Sequence, residues 1–248
     1  MKNWWYYYKW YVICGAGLVI LALYLAGNAL GIFRKAPDLS IAYIGETELP
    51  QDTIRALEQA FAFISGDFNG DGEAVVKIRQ YVSDKQSPEA IYYEYATEIG
   101  LIGDITDCES YIFLMDNPQA FQKSFHVLAA PDGSCPDELD FSTEGKAIAW
   151  KDCPVLASLD LGTYSVTILG QETSGKNQEL LSDLYIGRRC FYTEDTISCL
   201  NQCKDLWNLL LSDAAVDLSS IQTGIKTVQT AKKQFGYTQS YARKENPT

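Results

Sequence analysis

Hydrophobic positions fall into two regimes along this chain. Residues 12–32 read VICGAGLVILALYLAGNALGI, 21 residues whose only strongly polar member is Asn28. At 1.5 Å rise per residue this run covers a hydrocarbon core of about 30 Å and predicts one membrane-spanning helix. Beyond residue 36 the apolar positions become short runs and periodic stripes. LSIAYIG (Leu39–Gly45) reads as a buried strand, and residues 50–65 place Ile54, Leu57, Phe61 and Ile64 on one helical face. Residues 73–82 alternate as a strand does, with Val76, Ile78 and Val82 on one side and Lys77 and Arg79 on the other. Ser87 and Pro88 supply the N-cap and first position of a next helix, whose inner stripe is read as Ile91, Tyr95, Ile99 and Ile102. Residues 111–115 (YIFLM) form a third buried strand, and Asn117-Pro118 caps a short helix ending near Phe125.

Three strands alternating with helices call for crossover connections and a parallel sheet. After Pro131 the pattern loosens, with strands expected at residues 147–150, 164–169 and 184–192 and a helix over 194–211, so antiparallel additions are expected. The fold class is α/β: an N-terminal transmembrane helix followed by one three-layer α/β domain with a mainly parallel or mixed sheet. The corresponding boundaries are a collar over 1–11, the span over 12–32, the domain over 36–212 and a partly disordered extension over 213–248.

Charge and aromatic residues set the expected topology. Trp4, Trp5, Tyr6, Tyr7, Tyr8, Trp10 and Tyr11 surround Lys9, and such rings favour the headgroup layer. Lys2 and Lys9 on one flank nearly balance Arg34 and Lys35 on the other, and the terminal amine tips the N-terminus towards the cytoplasm. After residue 35 the chain holds 16 Lys+Arg against 32 Asp+Glu, a net charge of −16. Such a domain is repelled by nucleic acid and by an anionic leaflet, which places it outside the cell membrane with the lipid bilayer as its first partner. A cleaved signal peptide, with Gly27 and Ala29 at positions −3 and −1, is the competing reading. Lipid attachment at Cys14 is disfavoured by Ile13, which stands where a small residue belongs.

Residues 67–73 carry the strongest chemical motif. Asp67, Asn69 and Asp71 occupy positions 1, 3 and 5 of a calcium loop, Gly72 the turn position 6, and Glu73 the carbonyl position 7. Val75 and Ile78 stand at positions 9 and 12, so further oxygens must come from elsewhere. A structural Ca2+ bound through Asp67, Asn69, Asp71 and Glu73 is one reading, and a turn whose side chains satisfy its own backbone is the other. Lying between a helix and a strand, the loop resembles the calcium loop of sugar-binding periplasmic proteins, in which a distant segment supplies the missing carboxylate.

Other motifs carry less. Residues 170–177 (GQETSGKN) fall one residue short of a phosphate-binding loop; Asn177 replaces the magnesium-holding hydroxyl and Glu172 stands where phosphates would lie, so a polar surface turn is expected. Cys108, Cys135, Cys153, Cys190, Cys199 and Cys203 follow the span, and Cys135 with Cys153 is the first disulfide to consider. The sole histidine, His126, reads as a helix-end residue, and no G-x-S-x-G or H-E-x-x-H accompanies it. Carboxylates are abundant enough to allow a hydrolytic acid and base without locating them.

The strand IAYIG, the helix ALEQAF, the strand EAVVKIRQYV and the run GLIGDITDCESYIFLMDNPQAFQKSFHVL resemble the N-terminal lobe of bacterial extracellular solute-binding proteins over residues 39–130. The WYYYKWY anchor with a D-x-N-x-D-G loop also resembles single-pass bacterial membrane proteins of uncharacterised role. The likeness implies a membrane-anchored binding or interaction domain for a small solute or an envelope protein, without catalysis. Tethering by a helix and a chain too short for two full lobes depart from the solute-binding pattern, in which a cleft closes between hinged lobes. Two alternatives remain: a membrane-anchored, carboxylate-dependent hydrolase of the cell envelope, and a structural subunit of a membrane complex.

Overall fold

The computed structural model describes residues 2–29, 37–83, 90–168, 171–190 and 200–212. The chain divides into two units, Met1–Pro37 and Asp38–Thr248. Among its described residues the first holds the helix α1 (Lys2–Ala29), which runs unbroken through the aromatic collar and into the expected span. Its segment Tyr8–Ala26 is 19 residues long, apolar enough to cross a membrane, and has none of its length buried against protein. That is about 28 Å of helix. Leu18, Val19, Ile20 and Leu21 point to successive azimuths and all are exposed. A helix apolar all round offers no single stripe to a globular core, so its surface calls for an apolar surrounding.

The second unit is mixed α/β. Its order is β1 (Leu39–Gly45), α2 (Gln51–Ser65), β2 (Val76–Val82), α3 (Ala90–Thr106), β3 (Ile112–Met115), α4 (Pro118–Phe125), β4 (Ala147–Ala149), α5 (Pro154–Ala157), β5 (Thr163–Ile168), β6 (Gln171–Lys176), α6 (Asn177–Leu181), β7 (Tyr185–Arg188) and α7 (Leu200–Leu211). Five strands form one sheet in the order β2-β1-β3-β7-β4, and β5 pairs with β6 in a separate two-stranded sheet. β1 pairs parallel to β2 from Leu39↔Val76 to Gly45↔Val82, and parallel to β3 from Ile41↔Ile112 to Ile44↔Met115. β7 joins β3 antiparallel and β4 joins β7 antiparallel. The parallel start and antiparallel additions expected from the sequence are both present.

Alternation along the central strands feeds two apolar clusters. Leu39, Ile41 and Tyr43 of β1, with Ile112 and Leu114 of β3 and Ile186 of β7, pack with Leu57 and Phe61 of α2, Leu156 of α5, and Leu206, Trp207 and Leu210 of α7. Ala42, Phe113 and Met115 take the other side, with Leu101 of α3 and Phe121 of α4. Burial on both sides explains why β1 and β3 read as continuous apolar runs instead of alternating ones. Each fully buried Leu or Phe contributes about 1.5–3 kcal/mol of transfer free energy.

Helix ends follow their local chemistry. Asn117 accepts a hydrogen bond from the Ala120 amide at 3.0 Å and Pro118 opens α4, while His126 in the left-handed conformation (φ 55°) ends it. α2 ends at Gly66, whose φ of 72° suits glycine and whose amide reaches the Ala62 carbonyl.

Four expectations change. The inner stripe of α3 is not the one read from spacing: Ile99 and Ile102 are 68% and 47% exposed, whereas Leu101 and Asp104 are buried at 5% and 2%. Residues 171–176 are strand β6 instead of a surface turn, because each pairs with a residue of β5, from Thr163↔Lys176 to Ile168↔Gln171. The strand expected over 73–82 begins at Val76, since the residues before it belong to the preceding loop. β4 stops at Ala149, where Trp150 turns into a short 3-10 helix. Ile32, Ser87, Pro88, Gly170, residues 191–199 and the extension 213–248 lie outside the described residues, as do the side chains of Ile91 and Tyr95.

Candidate functional site

The order of strands indicates where a site should form. From β1 the chain passes through α2 to β2 on one side, then through α3 to β3 on the opposite side of β1. With crossovers of one hand, reversing direction across a sheet sends successive helices to opposite faces. The clusters agree, since α2 packs with Ile41 and Leu114 while α3 packs with Ala42 and Phe113. Between β1 and β3 the connections therefore part, leaving a crevice beyond the carboxyl ends of the strands, the usual ligand position in such sheets.

A cavity of about 640 Å3 occurs there. Ile44, Gly45 and Glu46 line it at the end of β1, Tyr81 of β2 and Ser83 just after that strand add to it, and Asp116 and Asn117 follow from the end of β3. α3 adds Thr97, Glu98, Leu101 and Ile102, and α4 adds Ala120, Phe121, Ser124 and Phe125. The size and the mixture of apolar walls with a few polar groups are those of a small-molecule pocket. Ile102 is thus exposed on a helix facing the cavity.

Hydrogen bonds hold the rim. The Asp116 carboxylate accepts from the Glu46 amide at 2.8 Å, tying the ends of β1 and β3 together. The Asp116 amide donates to the Ile44 carbonyl and the Ser83 amide to the Gly45 carbonyl. Tyr43 donates its hydroxyl to the Thr47 carbonyl at 2.8 Å, and burial with the nearby Asp116 charge raises its pKa. A Cβ at Gly45 would stand 2.2 Å from that hydroxyl, so only glycine lets the ring lie across the strand end.

Tyr81 is held from behind. Its hydroxyl donates to Asp104 Oδ2 at 2.9 Å, and the same buried carboxylate accepts from the Ser110 amide and hydroxyl at 2.9 and 2.6 Å. Burial first, then the Asp104 carboxylate, raises the Tyr81 pKa and keeps the phenol protonated. Arg189, also buried, donates to the carbonyls of Asp104 and Ile105 near the end of α3. Asp104 is the element that spacing missed: a polar residue turned inward because three donors meet it. Among the described lining residues there are three carboxylates, Glu46, Glu98 and Asp116, several hydroxyls, and no histidine, cysteine, lysine or arginine. That set can accept hydrogen bonds and favour positive charge, and it lacks a nucleophile paired with an imidazole.

The calcium-like loop lies elsewhere. Asp67, Asn69, Asp71 and Glu73 are all exposed. Asp67 accepts from the Gly70 and Gly72 amides at 2.7 Å each, Asn69 from the Asp71 amide at 2.8 Å, and Asp71 from the Glu73 amide at 3.0 Å. The Gly72 amide and its neighbours hold the Asp67 carboxyl below the usual range. The side chains thus serve their own backbone, as in a network of Asx turns. Asp38 fastens the loop from outside, accepting from the Phe68, Asn69 and Val75 amides. Its place 29 residues upstream of Asp67 gave no local signal. No group of three His, Cys, Asp or Glu able to hold a metal ion is found among the described residues.

The remaining expected residues scatter. His126 stands at the end of α4, its Nε2 3.0 Å from the Asp140 carbonyl and its ring against Phe141. Asn177 is buried, accepting from the Thr53 hydroxyl and donating to the Leu161 carbonyl, each at 2.7 Å, so it links α6 to α2. Cys153 does not meet Cys135: its buried thiol donates to the Leu210 carbonyl at 2.9 Å. Cys199 lies outside the described residues. No protein-family model matches the chain, and no curated protein or solved structure shows significant similarity to it.

Proposed function

We propose that the chain is a single-pass membrane protein, N-terminus cytoplasmic, whose one three-layer α/β domain stands outside the cell membrane and binds a small solute without transforming it. The observation that carries this reading is the crevice at the carboxyl ends of β1, β2 and β3, sited where the sheet order reverses. Its carboxylates and apolar walls suit a neutral or positively charged solute rich in hydrogen-bond donors. The exposed apolar helix and the acidic remainder support the anchor and the outward placement. A structural calcium ion at Asp67, Asn69, Asp71 and Glu73 is part of the proposal, as an accessory to folding.

The test uses the full chain in detergent micelles, heated with a panel of sugars, amino acids and polyamines. A solute that raises the melting temperature of the wild type and does nothing for Ala120→Trp, which fills the crevice from an exposed position, supports the reading. A shift that survives that substitution places the ligand elsewhere. Calcium is tested by the same melt, where a rise at millimolar calcium that disappears in Asp71→Ala supports the ion and no rise removes it.

The presence of Glu46, Glu98 and Asp116 in one cavity favours, as second reading, an envelope hydrolase using paired carboxylates. Hydrolysis of cell-wall glycan by the wild type, lost in both Glu46→Gln and Glu98→Gln, separates this from pure binding.

A further inference from the structure

Two thiols meet where the chain leaves β7. Cys190 is buried, and its amide donates to the Val127 carbonyl at 2.9 Å. One rung away, Ala129 donates to the Arg188 carbonyl and Leu128 bridges antiparallel to Arg189. The chain then turns back: Gly133 donates to the Ala130 carbonyl and Ala130 to the Ser134 carbonyl, at 2.8 and 2.9 Å. This turn returns Cys135 towards the strand it has just left, and its half-buried thiol lies near enough to that of Cys190 for burial and that neighbour together to raise its pKa. The turn is held without the cysteines. Arg188 Nη2 donates to the Ala130 and Pro131 carbonyls at 3.3 and 2.8 Å, its guanidinium lies 5.5 Å from the Trp207 ring centroid, and Gly133 takes a φ of 89° against it.

We propose that Cys135 and Cys190, free thiols in this structure, are a built disulfide site that closes on meeting a disulfide donor. The Cys135 thiolate attacks the donor disulfide and releases its first thiol; the Cys190 thiolate then attacks Cys135 Sγ and releases the second. Two protein thiols lose two electrons in total, the donor disulfide gains them, and the two protons leave with the donor thiols. Cys135 reacts first because it is the less buried of the pair. Burial and the Cys190 thiol push the Cys135 thiol up to about 12, opposed by Arg189, so exchange is slow at neutral pH and accelerates as pH rises. The bond closes a loop of roughly 55 residues holding β4 to β7, long enough for a large gain in stability. This inference does not depend on the crevice reading.

The experiment incubates the full chain in detergent micelles with oxidised glutathione, alkylates it under denaturing conditions and maps non-reduced peptides by mass spectrometry. The expected result is a Cys135–Cys190 link that persists in Cys199→Ser and Cys203→Ser, is lost in Cys190→Ser, and raises the melting temperature by about 5–10 °C. Cys135→Ser should melt with the reduced wild type and show no rise on oxidation. Alkylation of both thiols after oxidation, arrest at a glutathione adduct on Cys135, or a link from Cys135 to Cys153 or Cys199 would overturn the assignment.

Discussion

α2 and α3 are the two crossover helices of one parallel unit, yet they use their apolar residues differently. α2 buries Ile54, Leu57 and Phe61 and leaves only Phe63 of its large apolar side chains half exposed. α3 leaves Ile99 and Ile102 outside and takes Asp104 in. One helix closes the core and the other walls a cavity, so the second need not be apolar where it turns inward. Its inward polar residue instead fixes Tyr81, and with it the position of the crevice wall.

That contrast predicts a graded set of effects, all measurable by chemical and thermal unfolding of the full chain in micelles. Phe61→Ala should cost the most, about 3–5 kcal/mol, because the ring is fully buried between α2 and the sheet. Next comes Asp104→Ala, at about 2–3 kcal/mol, since it strands the Ser110 amide and hydroxyl in the interior. Its loss should also weaken binding in the crevice through Tyr81, which Phe61→Ala in folded protein should not do.

A smaller effect belongs to the loops outside both helices. Asp67, Asp132 and Asp140 are held below their ordinary value, by the Gly72 amide, by Ser134 and by Lys146 respectively. A depressed folded pKa contributes stability above the unfolded value near 3.8 that is lost as pH falls through the folded one. The melting temperature should therefore respond little to these groups between pH 7 and about 5 and decline below about 4. Smallest of all, Ile99→Ser should stay within about 0.5 kcal/mol of wild type, as its side chain is exposed. A cost of 2 kcal/mol there would restore the stripe read from spacing and break the contrast.

The same pair shows what the sequence can reveal. In α2 the apolar residues fall on one stripe, so spacing chose the right face. In α3 Ile99, Leu101, Ile102 and Ile105 lie on several faces, and periodicity has no means of preferring Leu101. Short runs with local signals were legible: β1, where LSIAYIG is buried on both sides, and α4, where Asn117 and Pro118 write their own cap. What depended on distant partners was not. β6 is polar and becomes a strand only against β5; Asp38 reaches its loop across 29 residues; Cys135 meets Cys190 through a turn fastened by Arg188. The crevice has the same character, since its walls come from five elements and no motif joins them.

Hydrogen–deuterium exchange of the full chain in micelles, with and without a solute that raises its melting temperature, locates the bound solute on the domain. A solute held in the crevice should slow exchange only in residues 44–46, 81–83, 97–102 and 116–125. Protection of residues 67–75 instead, with those four segments unchanged, would contradict that placement.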